Sequence, residues 1–297
     1  MNTLNLKGVF PPMITPFKEN GDLDDQMFIK NIGRWNSNAL TGYLVLGSNS
    51  EAAFLNYGEK LKLVEAAVKA SASGRTLLVG SGMESARETI RLTNDAAAAG
   101  AMGALVLTPF YYLDQMTHDA LVAYFQTVAD ASRIPILVYN VPKFTHLSLS
   151  LRTILKLSEH PNIVGMKDSS GNIPQLAALK AEFDSDFAVL VGTANAWLPA
   201  LQLGVQGGIH ALANCCPDEC TEIQTLFNSG KAGEALDLYQ RLLPVNEAVT
   251  ATYGVAGLKY ACDLRGYYGG SVRAPLLPLS ESQKTDLRNT LTRANLL

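Results

Sequence analysis

No apolar stretch in this chain of 297 residues approaches the ~20 that a membrane-spanning helix needs. The opening MNTLNLKGVFPPMITPF also lacks the basic region and long apolar core of a secretory signal. A soluble, cytoplasmic protein without a membrane partner is therefore expected. Histidine and cysteine are scarce, at four each. His118, His146, His160 and His210 are scattered, with no HxxxH pair or His/Asp cluster, so a metal centre has no support. Among Cys215, Cys216, Cys220 and Cys262 there is no CxxC pair, which favours reduced thiols over disulfides or a metal site. Positive charge is short too: 24 Lys and Arg against 27 Asp and Glu leave a net charge of −3. Without a basic run to meet a polyanion, nucleic acid is excluded as a partner. Gly80-Ser81-Gly82 follows an apolar run but lacks the third glycine and later acidic residue of a dinucleotide fingerprint, so no cofactor is expected.

What the chain does have is a repeat. Short runs rich in Val, Ile and Leu recur at 8–15, 42–48, 76–82, 104–110, 135–142, 162–170, 187–193 and 207–214. Each is followed by a polar turn and, in most units, a stretch of helical period such as GEKLKLVEAAVKAS or HDALVAYFQTVADAS. Runs apolar throughout suit a parallel sheet buried on both faces. Eight such units predict a (β/α)8 barrel over residues 1–216; a doubly wound open sheet is the alternative the pattern leaves open. Four further helical stretches, at about 217–230, 231–250, 255–264 and 280–294, have no matching strand. They predict a helical C-terminal domain over 217–297, packed on the barrel because no low-complexity linker separates the two.

In such a barrel the site lies at the carboxyl ends of the strands, so polar residues that end apolar runs are the candidates. Strand two ends in Gly47-Ser48-Asn49-Ser50-Glu51, strand four in Thr108-Pro109-Phe110-Tyr111-Tyr112, strand five in Tyr139-Asn140-Val141-Pro142 and strand six in Lys167-Asp168-Ser169-Ser170. Lys167 follows Ile163-Val164-Gly165-Met166, where water is scarce and a permanent ammonium is costly. Such an amine suits nucleophilic attack on a carbonyl; the plainer reading is an ion pair with Asp168. Tyr139 suits proton transfer or core packing. The Ser48-Asn49 turn offers backbone N–H groups and a hydroxyl for a carboxylate, or is simply a turn. The three together point to Schiff-base chemistry on a keto acid.

These residues resemble the dihydrodipicolinate synthase and N-acetylneuraminate lyase family of pyruvate-dependent class I aldolases. The similarity runs end to end, through Gly8-Val9-Phe10-Pro11-Pro12, Thr15-Pro16-Phe17, Gly47-Ser48-Asn49-Ser50-Glu51, Thr108-Pro109-Phe110-Tyr111, Tyr139-Asn140-Val141-Pro142 and Gly165-Met166-Lys167-Asp168-Ser169. The resemblance implies a barrel with a C-terminal helical domain, assembled as a homotetramer of tight dimers. It places the Schiff-base lysine on Lys167, the phenolic proton shuttle on Tyr139 and the relay hydroxyl on Ser48. A tyrosine reaching in from a neighbouring subunit falls on Tyr111, with Tyr112 the alternative. Ser48, Asn49, Ser169, Gly192, Phe144, His146 and Asn195 are the expected substrate-binding positions, and no metal or cofactor is implied.

Within the family the resemblance is closest to 4-hydroxy-2-oxoglutarate aldolase, through Gly266-Tyr267-Tyr268-Gly269-Gly270 and Arg273-Ala274-Pro275-Leu276 as well as the site motifs. Aldolases or dehydratases of 2-keto-3-deoxy sugar acids share most of these motifs and are the alternative. The dihydrodipicolinate synthase reaction is disfavoured, because Phe144 stands where that enzyme has an arginine for its second substrate. Ser50, in place of a glycine, and Phe144-Thr145-His146 depart from the aldolase pattern near the expected second-substrate pocket. A sensor that binds keto acids without turnover is the non-enzymatic alternative, which the presence of Lys167, Tyr139 and Ser48 argues against.

Overall fold

The computed structural model describes residues 4–183 and 186–297; residues 1–3, the start of the opening stretch, and 184–185 lie outside it. Strand and helix alternate as β1 (Gly8–Phe10), α1 (Asp25–Trp35), β2 (Gly42–Val45), α2 (Tyr57–Ala70), β3 (Thr76–Gly80), α3 (Ala86–Ala99), β4 (Gly103–Leu107), α4 (His118–Ala131) and β5 (Ile136–Asn140). Then come α5 (Pro142–Thr145), α6 (Leu151–Ser158), β6 (Ile163–Asp168), α7 (Ile173–Glu182), β7 (Ala188–Val191), α8 (Trp197–Gln202) and β8 (Gly207–Ile209). Most of these helices, though not α5 and α8, start at side-chain caps that satisfy otherwise orphaned N–H groups. Asn56 and Glu59 form a reciprocal capping box on α2, and Ser85, Thr117 and Ser150 cap α3, α4 and α6.

All strands pair in parallel in the order β1-β8-β7-β6-β5-β4-β3-β2. The ring closes between β1 and β2: the Thr41 N–H donates to the Val9 carbonyl at 3.0 Å, and the Met13 N–H to the Leu44 carbonyl at 2.9 Å. The fold is therefore a TIM barrel and not an open sheet. Alternation along each strand sorts the side chains into two layers. Phe10, Leu44, Leu78, Leu105, Leu137, Leu190 and Ile209 meet inside the barrel with Tyr139. Their neighbours Val9, Tyr43, Val79, Val106, Val138 and Met166 join the larger core beneath the helices.

Beyond β8 lie α9 (Pro217–Asn228), α10 (Ala232–Glu247), a π-helical turn at Ala248–Thr252, α11 (Gly254–Leu264) and α12 (Glu281–Arg293), and no further strand among the described residues. α9 packs against β1 and α8, in the position of the eighth barrel helix, and α10 packs on α8, α9 and α12. Pro244 interrupts the hydrogen bonding of α10 shortly before the π turn. Among the described residues no helix is long and apolar enough to cross a membrane.

Candidate active site

The carboxyl ends of β5, β6 and β7 form one wall of the site. Lys167 is paired in register with Tyr139 on one side and Leu190 on the other, so it shares their inward face. It is only 4% exposed, and its ammonium stands 4.4 Å from the centre of the Tyr139 ring. No carboxylate lies within ion-pairing distance of it among the described residues; a buried ion pair is found elsewhere, between Lys259 and Glu51.

Asp168 is not the partner that sequence adjacency suggests. Consecutive strand residues face opposite ways, and the Asp168 carboxylate accepts from Asn140 Nδ2 and from the Ser170 hydroxyl, both at 2.6 Å. Asn140 Oδ1 in turn accepts from the Leu149 N–H at 3.0 Å. These bonds clamp β5 to β6 immediately behind Tyr139 and Lys167 and fix their register. Asn140 and Asp168 therefore hold the wall from outside, a role that the alternation of strand faces would have signalled.

Close approach defines the β6–β7 corner. A Cβ on Gly192 would lie 1.8 Å from Ser169 Oγ and 2.8 Å from Lys167 Cε, so only glycine leaves room for both side chains. The Gly192 N–H donates to the Asp168 carbonyl at 2.6 Å, which holds the corner closed. Ser169 Oγ is buried without a hydrogen-bond partner, as is Thr108 Oγ1 at the end of β4. An unpartnered buried hydroxyl is available to a ligand, and Thr108, which the sequence offers as part of the run ending strand four, was given no role there.

At the end of β2, residues 48–50 form a single 3-10 turn, so the N–H groups of Ser48 and Asn49 stand free at its start. The Ser48 side chain is exposed. Ser50 does not belong with the second-substrate residues: it is buried, its hydroxyl donates to the Met13 carbonyl at 2.5 Å, and its own carbonyl accepts from Thr15 Oγ1 at 2.8 Å. It fastens the turn to the loop after β1.

The remaining candidates sit on loops at the same end of the barrel, apart from this wall. Phe144, on α5, is 52% exposed, and Lys143 beside it donates to the Thr250 carbonyl at 2.8 Å. His146 ends that helix in a left-handed conformation, exposed to solvent. Asn195 Oδ1 accepts from Asn246 Nδ2 at 2.7 Å and its carbonyl from the Tyr239 hydroxyl, so its amide ties the β7 loop to α10. Tyr111 and Tyr112 pack edge to face and are 76% and 66% exposed, while the N–H groups of Phe110 and Tyr111 both donate to Glu84 Oε2.

The four cysteines are free and buried; Cys215 stands well above the usual thiol range although its bond with Cys216 lowers it, because the Cys262 thiol and burial raise it, Cys216 is raised by its bond with Cys215 and by burial, and Cys220 by burial. His210 is wholly buried edge-on to Trp197; desolvation, with Lys167 adding to it, lowers its value to about 3 and keeps the ring neutral.

Residues 5–294 match the model of the dihydrodipicolinate synthetase family. A 4-hydroxy-tetrahydrodipicolinate synthase of Methanothrix thermoacetophila is 35% identical over 288 residues, spanning 97% of this chain and 96% of that protein. The crystal structure of a dihydrodipicolinate synthase from Bacillus anthracis superposes with a TM-score of 0.93 at 27% identity, covering 98% of this chain and 99% of that one. A chloride-inhibited dihydrodipicolinate synthase from Acinetobacter baumannii, complexed with pyruvate, superposes at 0.92 with 27% identity, covering 99% of this chain and all of that one, 100%. These relatives carry the synthase name and not that of 4-hydroxy-2-oxoglutarate aldolase, and the narrower resemblance rests on its residues alone. The chain belongs to the dihydrodipicolinate synthetase family and is an enzyme of its class I aldolase type.

Proposed function

We propose that Lys167 forms a Schiff base with C2 of a 2-keto acid of the pyruvate type and that the enzyme breaks or makes the bond between C3 and C4. The observation that carries this reading is a buried lysine with no counter-charge, lying against a tyrosine ring. The amine, as free base, attacks C2 to give a carbinolamine, and Tyr139 delivers the proton that lets its hydroxyl leave as water. In the protonated imine the Tyr139 phenolate takes the proton of the C4 hydroxyl, the C3–C4 electron pair moves toward the imine, and an aldehyde departs. The enamine that remains takes a proton at C3, and water then releases pyruvate from Lys167. Ser48 relays protons with Tyr139, and the free N–H groups of Ser48 and Asn49 hold the C1 carboxylate. Ser169, beside Gly192, holds a substrate hydroxyl or its distal group.

The substrate we assign is 4-hydroxy-2-oxoglutarate, cleaved to pyruvate and glyoxylate. Its support is the pattern Gly266-Tyr267-Tyr268-Gly269-Gly270 with Arg273-Ala274-Pro275-Leu276, and the ring of Phe144, which has no donor for a bidentate carboxylate contact. Phe144, His146 and Asn195 face the aldehyde side. The second reading is an aldolase or dehydratase of 2-keto-3-deoxy sugar acids; the synthase reaction has the names of the relatives in its favour and Phe144 against it. The assembly we assign is a cytoplasmic homotetramer of tight dimers, with the helical domain over 217–297 packed on each barrel and its first helix, α9, serving as the barrel's eighth. Exposed Tyr111 then completes the site of its dimer neighbour. Pyruvate release measured over 4-hydroxy-2-oxoglutarate and a set of 2-keto-3-deoxy acids tests the assignment. Turnover highest by at least about tenfold on 4-hydroxy-2-oxoglutarate supports it, since one missing or extra substrate contact is worth about that much. Turnover confined to a sugar acid, or only consumption of pyruvate with the synthase's aldehyde, overturns it.

A further inference from the structure

Glu51 closes the Ser48–Ser50 turn with its backbone in the left-handed region, at φ 54°, although it is not glycine. An L side chain adopts that conformation where its surroundings impose it. What imposes it comes from the far end of the chain. The Glu51 carboxylate is buried; Oε2 accepts from the Arg273 N–H at 2.8 Å, and Oε1 lies 2.5 Å from Lys259 Nζ. Lys259, on α11, also donates to the Ser271 carbonyl at 2.6 Å and stands 4.6 Å from the Phe17 ring. Arg273 covers the same ring at 4.2 Å while its guanidinium donates to the Gly21 and Phe54 carbonyls and, in bidentate fashion, to Glu59.

Besides the Ser50 bonds to Met13 and Thr15, the turn is thus held from behind through Glu51, by Lys259 and the Arg273 N–H. The Glu51 N–H donates to the Ser48 carbonyl at 3.2 Å, so anchoring the Glu51 side chain also sets the peptide plane that carries the Asn49 N–H, and the neighbouring plane with the Ser48 N–H is tied to the same turn by the Ser50 N–H on the Gly47 carbonyl at 3.0 Å. Burial pulls Lys259 below the ordinary lysine range and Glu51 opposes that pull. Buried ion pairs are weak sources of net stability, but each partner strongly constrains where the other sits.

We propose that Glu51 and Lys259 are positioning residues for the keto acid: the pair lets the C-terminal helices aim the Ser48 and Asn49 N–H groups at the substrate carboxylate. The proposal rests on reading Lys167 as the Schiff-base lysine and that turn as the carboxylate cradle. It requires the pair to matter for a carbonyl compound that bears a carboxylate and not for one without. Borohydride trapping of adducts over a range of pyruvate concentrations, and in parallel of acetaldehyde, separates the two. In Lys259→Met the half-saturating pyruvate concentration is expected to rise at least tenfold and that of acetaldehyde less than twofold. Glu51→Gln/Lys259→Met, which leaves no buried charge unpaired, is expected to show the same loss of preference for pyruvate and carries the test if the single variant does not fold. Equal shifts for both probes, or an unshifted pyruvate value in either folded variant, overturn the positioning role. If the wild-type protein traps neither probe, the reading of Lys167 falls and this inference with it. A wild-type adduct with unshifted variants overturns this inference alone.

Discussion

Lys167 and Lys259 are buried almost equally, 4% and 1% exposed, yet they stand in opposite surroundings. Lys259 has a carboxylate 2.5 Å away and a carbonyl acceptor besides. Lys167 faces an aromatic ring, a leucine and the bare backbone of Gly192, and the nearest acidic residue in sequence, Asp168, is turned away and bonded to Asn140 and Ser170. Burial alone therefore does not single out a reactive amine in this molecule. The partners do: Lys259 Nζ is taken up by a carboxylate and a carbonyl, whereas Lys167 has no carboxylate partner among the described residues and is left to a ligand.

Three substitutions sharpen that contrast. The largest effect is expected from Tyr139→Phe, which leaves the ring against Lys167 and removes only the hydroxyl. If that hydroxyl moves the carbinolamine proton, turnover falls by about 10²- to 10⁴-fold while pyruvate binding changes far less. Steady-state rates compared with pyruvate half-saturation check this, and unchanged turnover removes Tyr139 from the chemistry. Next is Lys259→Met, which strands the Glu51 carboxylate in the interior and is expected to cost about 3–5 kcal/mol in denaturant unfolding. The smallest is Lys167→Met, which strands nothing and is expected to change stability by less than about 1.5 kcal/mol, in either direction. Equal losses at the two lysines would erase the distinction between them.

Much of this was legible in the sequence, and the part that was not has a physical reason. The apolar runs marked all eight strands because a parallel sheet buried on both faces leaves little room for polar residues, and Lys167 stood out by ending one of them. The pairing of Lys167 with Asp168 was a wrong alternative that strand alternation argues against. Gly192 was named as a binding position, but its reason, the approach of Ser169 and Lys167, depends on how β6 and β7 lie together. Ser50 looked like a specificity residue by position and is instead bonded to Met13. Glu51 and Lys259 are far apart in the chain, and the place of α9 among the barrel helices is set by what it packs on, so no local pattern reports either.

The central claim is that Lys167 is the amine that bonds the keto acid. Incubation with pyruvate, reduction with borohydride and peptide mapping by mass spectrometry test it most directly. One added pyruvate-derived group is expected, on Lys167, and none in Lys167→Ala. No adduct in the wild-type protein, or an adduct on Lys259 or any other lysine, would contradict it.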